Sequence, residues 1–128
     1  MNILNIRSTN TTPEINYNPK SGILEFSGKS LPTNSIEFYE PVFNWANSFF
    51  NSADVPTNFT LEFKIDYYNT SSSKQIAKFF RIIETSLASE IVTINWFYDE
   101  EDIDMLDAGK RFDKLMKVSF EFSVNEEE

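Results

Sequence analysis

Phe59, Leu61, Phe63, Ile65 and Tyr67 alternate with Thr60, Glu62, Lys64, Asp66 and Tyr68. This period of two predicts a strand with one buried face. Directly afterwards the period changes. Ile76, Phe79, Phe80, Ile83 and Leu87 recur at helical spacing and predict a helix with one apolar stripe. Upstream, Ile15–Tyr17 and Ile23–Phe26 flank the turn sequence Asn18-Pro-Lys-Ser-Gly22 and predict a β-hairpin. Pro32-Thr-Asn-Ser35 reads as a loop with helix-capping residues, and Phe38, Val42, Trp45, Ala46 and Phe49 follow at helical spacing. Pro41 suits that helix if it begins near Tyr39; an earlier start predicts a kink.

Downstream, Ile91–Tyr98 predicts a strand and Asp99–Met116 a helix, with Ile103, Leu106, Phe112 and Leu115 as its burial candidates. Acids lead that helix (Asp99 to Asp102) and bases close it (Lys110, Arg111, Lys114, Lys117), which complements the helix dipole. Val118, Phe120, Phe122 and Val124 alternate with polar residues and predict a last strand. The order β-β-α-β-α-β-α-β predicts a single α/β domain spanning residues 1–128, with one mixed sheet of about five strands. Two strands keep a polar second face, so the helices are expected mainly on one face of the sheet. Residues 1–10 and 125–128 are expected to be flexible ends.

Composition narrows the chemistry. The 128 residues suit one domain, and 13 Phe supply an aromatic core. No cysteine and no histidine are present, which excludes disulfides, thiolate metal sites and Cys or Ser-His-Asp catalysis. The net charge of −9 disfavours nucleic acids and anionic membranes and points to protein partners. The first seven residues lack the pattern of a signal peptide and no apolar run suits a membrane span, so the cytoplasm is the expected location. The sequons at Asn10, Asn58 and Asn69 then read as chance.

The strand-to-helix transition reads Tyr67-Tyr-Asn-Thr-Ser-Ser-Ser-Lys74. It places four hydroxyls, Thr70 to Ser73, at a helix N-terminus, where free N–H groups and the dipole favour negative charge. One reading is that Asn69 or Thr70 merely caps the helix. The other is a phosphorylation site at Thr70, with Lys74 one turn on. Lys74, Lys78 and Arg81 share one helix face. That face reads either as an ordinary solvated surface or, with Asn69, Thr70, Ser71 and Ser72, as a docking surface for an acidic partner. The carboxylates of Asp99–Asp104 offer a weak metal-site alternative, lacking the glycine and spacing of an EF-hand loop. No nucleotide-binding glycine motif occurs, and no cofactor is implied.

These residues resemble the SiaC family of bacterial regulatory phosphoproteins over roughly Thr12 to Phe122. The likeness is carried by Tyr67–Lys74, by Thr12-Pro-Glu-Ile15, and by Pro32-x-Asn34-Ser35 with Trp45 downstream. Trp96-x-Tyr98-Asp99 and the following helix with Gly109 and Phe112 also match. The resemblance implies a STAS-like, non-enzymatic domain phosphorylated on the threonine of Asn-Thr-Ser-Ser, which is Thr70 here. It implies a Ser/Thr protein kinase and a PP2C-type phosphatase as partners. It further implies a diguanylate cyclase bound by the unphosphorylated form, hence cyclic di-GMP and biofilm signalling. Ser73 lengthens the hydroxyl run, so a neighbouring serine stays open as the modified residue. A small metal-dependent enzyme and an unregulated adaptor are the rival functions.

Overall fold

The computed structural model describes residues 3–126. Among them one six-stranded sheet runs in chain order: β1 (Asn5–Ile6), β2 (Glu14–Asn18), β3 (Ile23–Ser30), β4 (Phe59–Tyr68), β5 (Val92–Tyr98) and β6 (Ser119–Val124). The first two pairings are antiparallel and the last three parallel. Helices α1 (Ser35–Phe50), α2 (Thr70–Ser86) and α3 (Ile103–Leu115) bridge the parallel strands. A right-handed crossover repeated in one direction puts every helix on the same face. The rings bear this out: Tyr17 meets Trp45 of α1, Phe26 meets Phe79 of α2, and Trp96 meets Phe112 of α3.

The opposite face carries Glu25, Glu62, Lys64, Asn95, Glu121 and Ser123, with Lys64 bridging Glu25 at 3.5 Å and Glu62 at 3.6 Å. The one-sided architecture is thus as predicted, with one strand more than the sequence suggested. The extra strand is β1. Leu4 beside it is buried, so this part of the N-terminal segment joins the sheet rather than lying outside it. Residues 1–2 and 127–128, also expected to be flexible, lie outside the described residues.

Several sequence expectations shift. α1 begins at Ser35, capped by Asn34, and runs through Pro41. Pro41 lies on the exposed side of the helix, away from the sheet. The acids Asp99–Asp102 form a turn before α3 instead of its first turn, and Asp102 caps the helix by accepting from Met105 N–H at 3.0 Å. The buried side of α3 is Met105, Ala108 and Gly109, whereas Ile103 and Leu115 are exposed. The reason is Trp96, whose indole meets the helix at its one glycine and donates Nε1–H to the Met105 carbonyl at 3.0 Å.

A candidate phosphorylation and docking site at the β4–α2 junction

The strand leading into the junction does not keep its alternation to the end. Gly28 pairs with Ile65, but Lys29 pairs with Tyr67, so Asp66 is an extra residue in β4. Gly28, at φ 100°, takes a backbone shape that suits glycine. Past this bulge the parity flips. Tyr67, expected on the buried side, is 57% exposed, and Tyr68 turns inward to meet the Phe63 ring. The bulge therefore re-aims the strand as it delivers the hydroxyl run.

Of the two residues considered as the helix cap, Asn69 and Thr70, the structure uses Asn69. Asn69 is the cap, its side-chain oxygen accepting from Ser72 N–H at 2.9 Å and from Ser71 Oγ at 3.2 Å. Thr70 is the first helical residue and is exposed, as is Ser71. Ser73 is half-buried, and Ser72, expected on the docking surface, is instead fully buried and out of a partner's reach. The Ser72 hydroxyl donates to the Ser30 carbonyl at 3.0 Å and accepts from Ser30 Oγ at 2.8 Å. Ser30 Oγ also shares a 2.6 Å hydrogen bond with Tyr39 OH of α1. Burial drives the Tyr39 phenol up to about 12, against the smaller opposing effect of Ser30. Asn69 N–H completes the lock by donating to the Ser30 carbonyl at 3.1 Å. A fully bonded buried trio of this kind fixes the first turn of α2 against β3 and α1. It leaves Thr70 and Ser71 as the freely accessible hydroxyls of the run, with Ser73 partly covered.

Lys74, Lys78 and Arg81 are all exposed on α2. Lys78 leans over the Phe43 ring of α1, 5.0 Å from its centroid. Arg81 turns the other way, lining a cavity of about 220 Å³ between α2 and α3 with Phe80, Phe112 and Leu115. A second cavity of about 200 Å³ continues this groove to Tyr68 and Ser73, with Arg111 of α3 on its wall. Burial raises the Tyr68 pKa and the Arg111 charge works against that rise. The sequence assigned Arg111 only to the helix dipole. It gave no signal for Ser30 or Tyr39, which reach the site through the sheet and α1.

The acidic segment serves other ends. Asp99 accepts from Asn125 Nδ2 at 2.9 Å, Asp102 is a cap, and Glu100 and Glu101 are exposed in the turn. Among the described residues no group of three or more carboxylates could hold a metal ion. No described helix is long and apolar enough to cross a membrane.

The fold and the site thus give a small α/β domain with its helices on one face and an exposed threonine hydroxyl at a capped strand-to-helix junction. The chain belongs to the SiaC family of regulatory phosphoproteins, whose sequence model matches residues 6–125. A relative from Pseudomonas aeruginosa (strain UCBPP-PA14) is 27% identical over 128 residues, covering 99% of this chain and 100% of that protein. The crystal structure of apo-SiaC from Pseudomonas aeruginosa superposes with a TM-score of 0.84 at 27% identity, covering 96% of this chain and 99% of that one. SiaC crystallised with the diguanylate cyclase SiaD, as its activator, is similar at TM-score 0.85 and 27% identity, over 95% and 99% of the two chains.

Proposed function

We propose that this chain is a cytoplasmic, non-enzymatic switch that binds and activates a diguanylate cyclase while Thr70 is unmodified, and releases it when Thr70 is phosphorylated. A Ser/Thr kinase adds the phosphate and a PP2C-type phosphatase removes it. The supporting observation is the sorting of the hydroxyl run: Thr70 is exposed at the first helical position, while Ser72 is buried and committed to Ser30. The cyclase as partner rests on family membership and on the similarity to SiaC bound to SiaD.

The mechanism follows from charge. Phosphorylation adds about −1.5 to −2 charges and acceptor oxygens at a helix start. There the phosphate gains from the dipole and from uncommitted N–H donors. It also draws on Lys74, which in the unmodified protein is exposed, as is Lys78 beside it, and is available to a partner's carboxylates. A loss of about 2 kcal/mol at the contact lowers affinity some thirty-fold.

The experiment is a binding titration of purified cyclase with wild type, Thr70→Ala and Thr70→Asp, each with and without kinase treatment. Thr70→Ala should bind and keep binding after the kinase, and Thr70→Asp should bind more weakly. Wild type should release the cyclase when intact mass shows one phosphate on Thr70. Normal release of Thr70→Ala by the kinase refutes the switch.

A further inference from the structure

The two edges of the sheet are built differently. At one edge β1 is two residues long, and such a stub offers another chain little to pair with. At the other, β6 presents six residues and among the described residues pairs only with β5. Asn125 N–H donates to the Tyr98 carbonyl at 2.8 Å. By strand alternation the backbone groups of Ser123, Glu121 and Ser119 also face β5, and those of Phe120, Phe122 and Val124 point out of the edge. Side chains of this second set stand on the helix side of the sheet. Phe120 and Phe122 stack with centroids 6.2 Å apart, and Val124, 44% exposed, continues their row. The strand has no proline and carries one charge, Glu121.

We propose that the outer edge of β6 pairs antiparallel with β6 of a second copy of this chain, extending the sheet across a two-fold axis at Phe122. In this register Phe122 lies opposite its own copy and Phe120 opposite Val124. The outward N–H and C=O groups of all three residues then find partners. The apolar row becomes continuous and covers Val124 with the second copy's Phe120. On the open face Glu121 meets the second copy's Ser123. Moving the axis one residue, to Glu121, would set two like charges face to face, which is unfavourable for directly opposed cross-strand neighbours. The Phe122 register avoids that clash and matches each outward residue of the edge to one of the same strand in the second copy. This self-complementarity, repeated twice by the symmetry, is what selects a second copy over an unrelated strand.

Sedimentation and light scattering on the full chain test this. Wild type should reach twice its 14.9 kDa mass as concentration rises. Ser123→Glu, facing Glu121 twice per dimer, should weaken self-association roughly ten-fold, and Ser123→Lys should strengthen it by a similar factor. Val124→Pro removes an outward N–H while sparing the β5 ladder, and should be monomeric with an unchanged circular dichroism spectrum. The chain has no native cysteine. Glu121→Cys mixed with Ser123→Cys should therefore oxidise to a linked dimer faster than either variant alone, whatever the fate of the proline variant. A wild type that stays monomeric at every concentration overturns the proposal. So does a dimer indifferent to the Ser123 variants, or cross-linking no faster in the mixture.

Discussion

Gly109 of α3 rests so closely on the indole of Trp96 that a methyl group at position 109 would come within 2.7 Å of both Cδ1 and Nε1. The contact decides where α3 sits on the sheet. Alanine in place of glycine gains about 1 kcal/mol in helix propensity. Overfilling a packed contact costs about 1–3 kcal/mol, and the rigid indole leaves little room to yield. Gly109→Ala is expected to lose about 1–2 kcal/mol net in urea unfolding. Combining it with Trp96→Phe should recover part of that loss as a favourable coupling in a double-mutant cycle. Simple addition of the two effects would show that the ring and the glycine are not in register.

At the start of α2 the two bonded side chains should separate by magnitude. Asn69→Ala removes a half-buried cap and should cost about 1 kcal/mol. Ser72→Ala strips the Ser30 carbonyl and hydroxyl of a buried partner and should cost about 1–3 kcal/mol. Tyr39→Phe should fall nearer 1 kcal/mol, because Ser30 Oγ keeps Ser72. Thermal and urea unfolding of the three variants would check the ranking, and a Ser72→Ala protein as stable as wild type would break it.

Phosphorylation of Thr70 should stabilise the isolated domain even as it weakens partner binding. A dianion in the first turn is expected to add about 0.3–1 kcal/mol through the dipole and free N–H groups. The gain should shrink in high salt. Comparing Tm for phosphorylated and unmodified protein across a salt series measures this directly. A phosphoprotein that melts lower would mean that the group disturbs the turn.

Asp66, the extra residue of the β4 bulge, has its pKa raised above 3.8 by partial burial first and by Asp99 second, with Lys29 opposing. A carboxyl raised on folding binds its proton more tightly in the native state. Its stabilising contribution is complete below the ordinary value of 3.8 and is lost as pH rises through the folded pKa. Asp66→Asn should therefore stabilise the protein slightly at neutral pH and have no such benefit in acid. Unfolding curves on both sides of that window test the sign.

Much of the architecture was legible because period two and period 3.6 replace one another cleanly along the chain. All five apolar residues expected to line the second helix, Ile76 through Leu87, are buried. The failures have local causes. Tyr67 and Tyr68 exchanged faces because a bulge inserts one residue, and no alternation pattern records an unpaired position. Ile103 and Leu115 were expected inside α3, but the side presenting the smallest residue is the one a tryptophan can approach. At the candidate site, the Asn69 cap and the exposure of Thr70 at the helix start could be read from local spacing. Ser30 and Ser72 stand 42 residues apart and meet only through the β3–β4 pairing, which single-chain periodicity does not encode.

Because the strands follow one another across the sheet in the order of synthesis, each new crossover docks on an edge already laid down and no later strand has to insert between earlier neighbours. The molecule can grow from the hairpin outward by accretion, and should fray in reverse. We expect amide hydrogen exchange of the monomer, at concentrations too low for β6 to pair with a second copy, to open α3 and β6 well before the β3–β4 centre; protection that is uniform from end to end would mean the domain opens only as a whole.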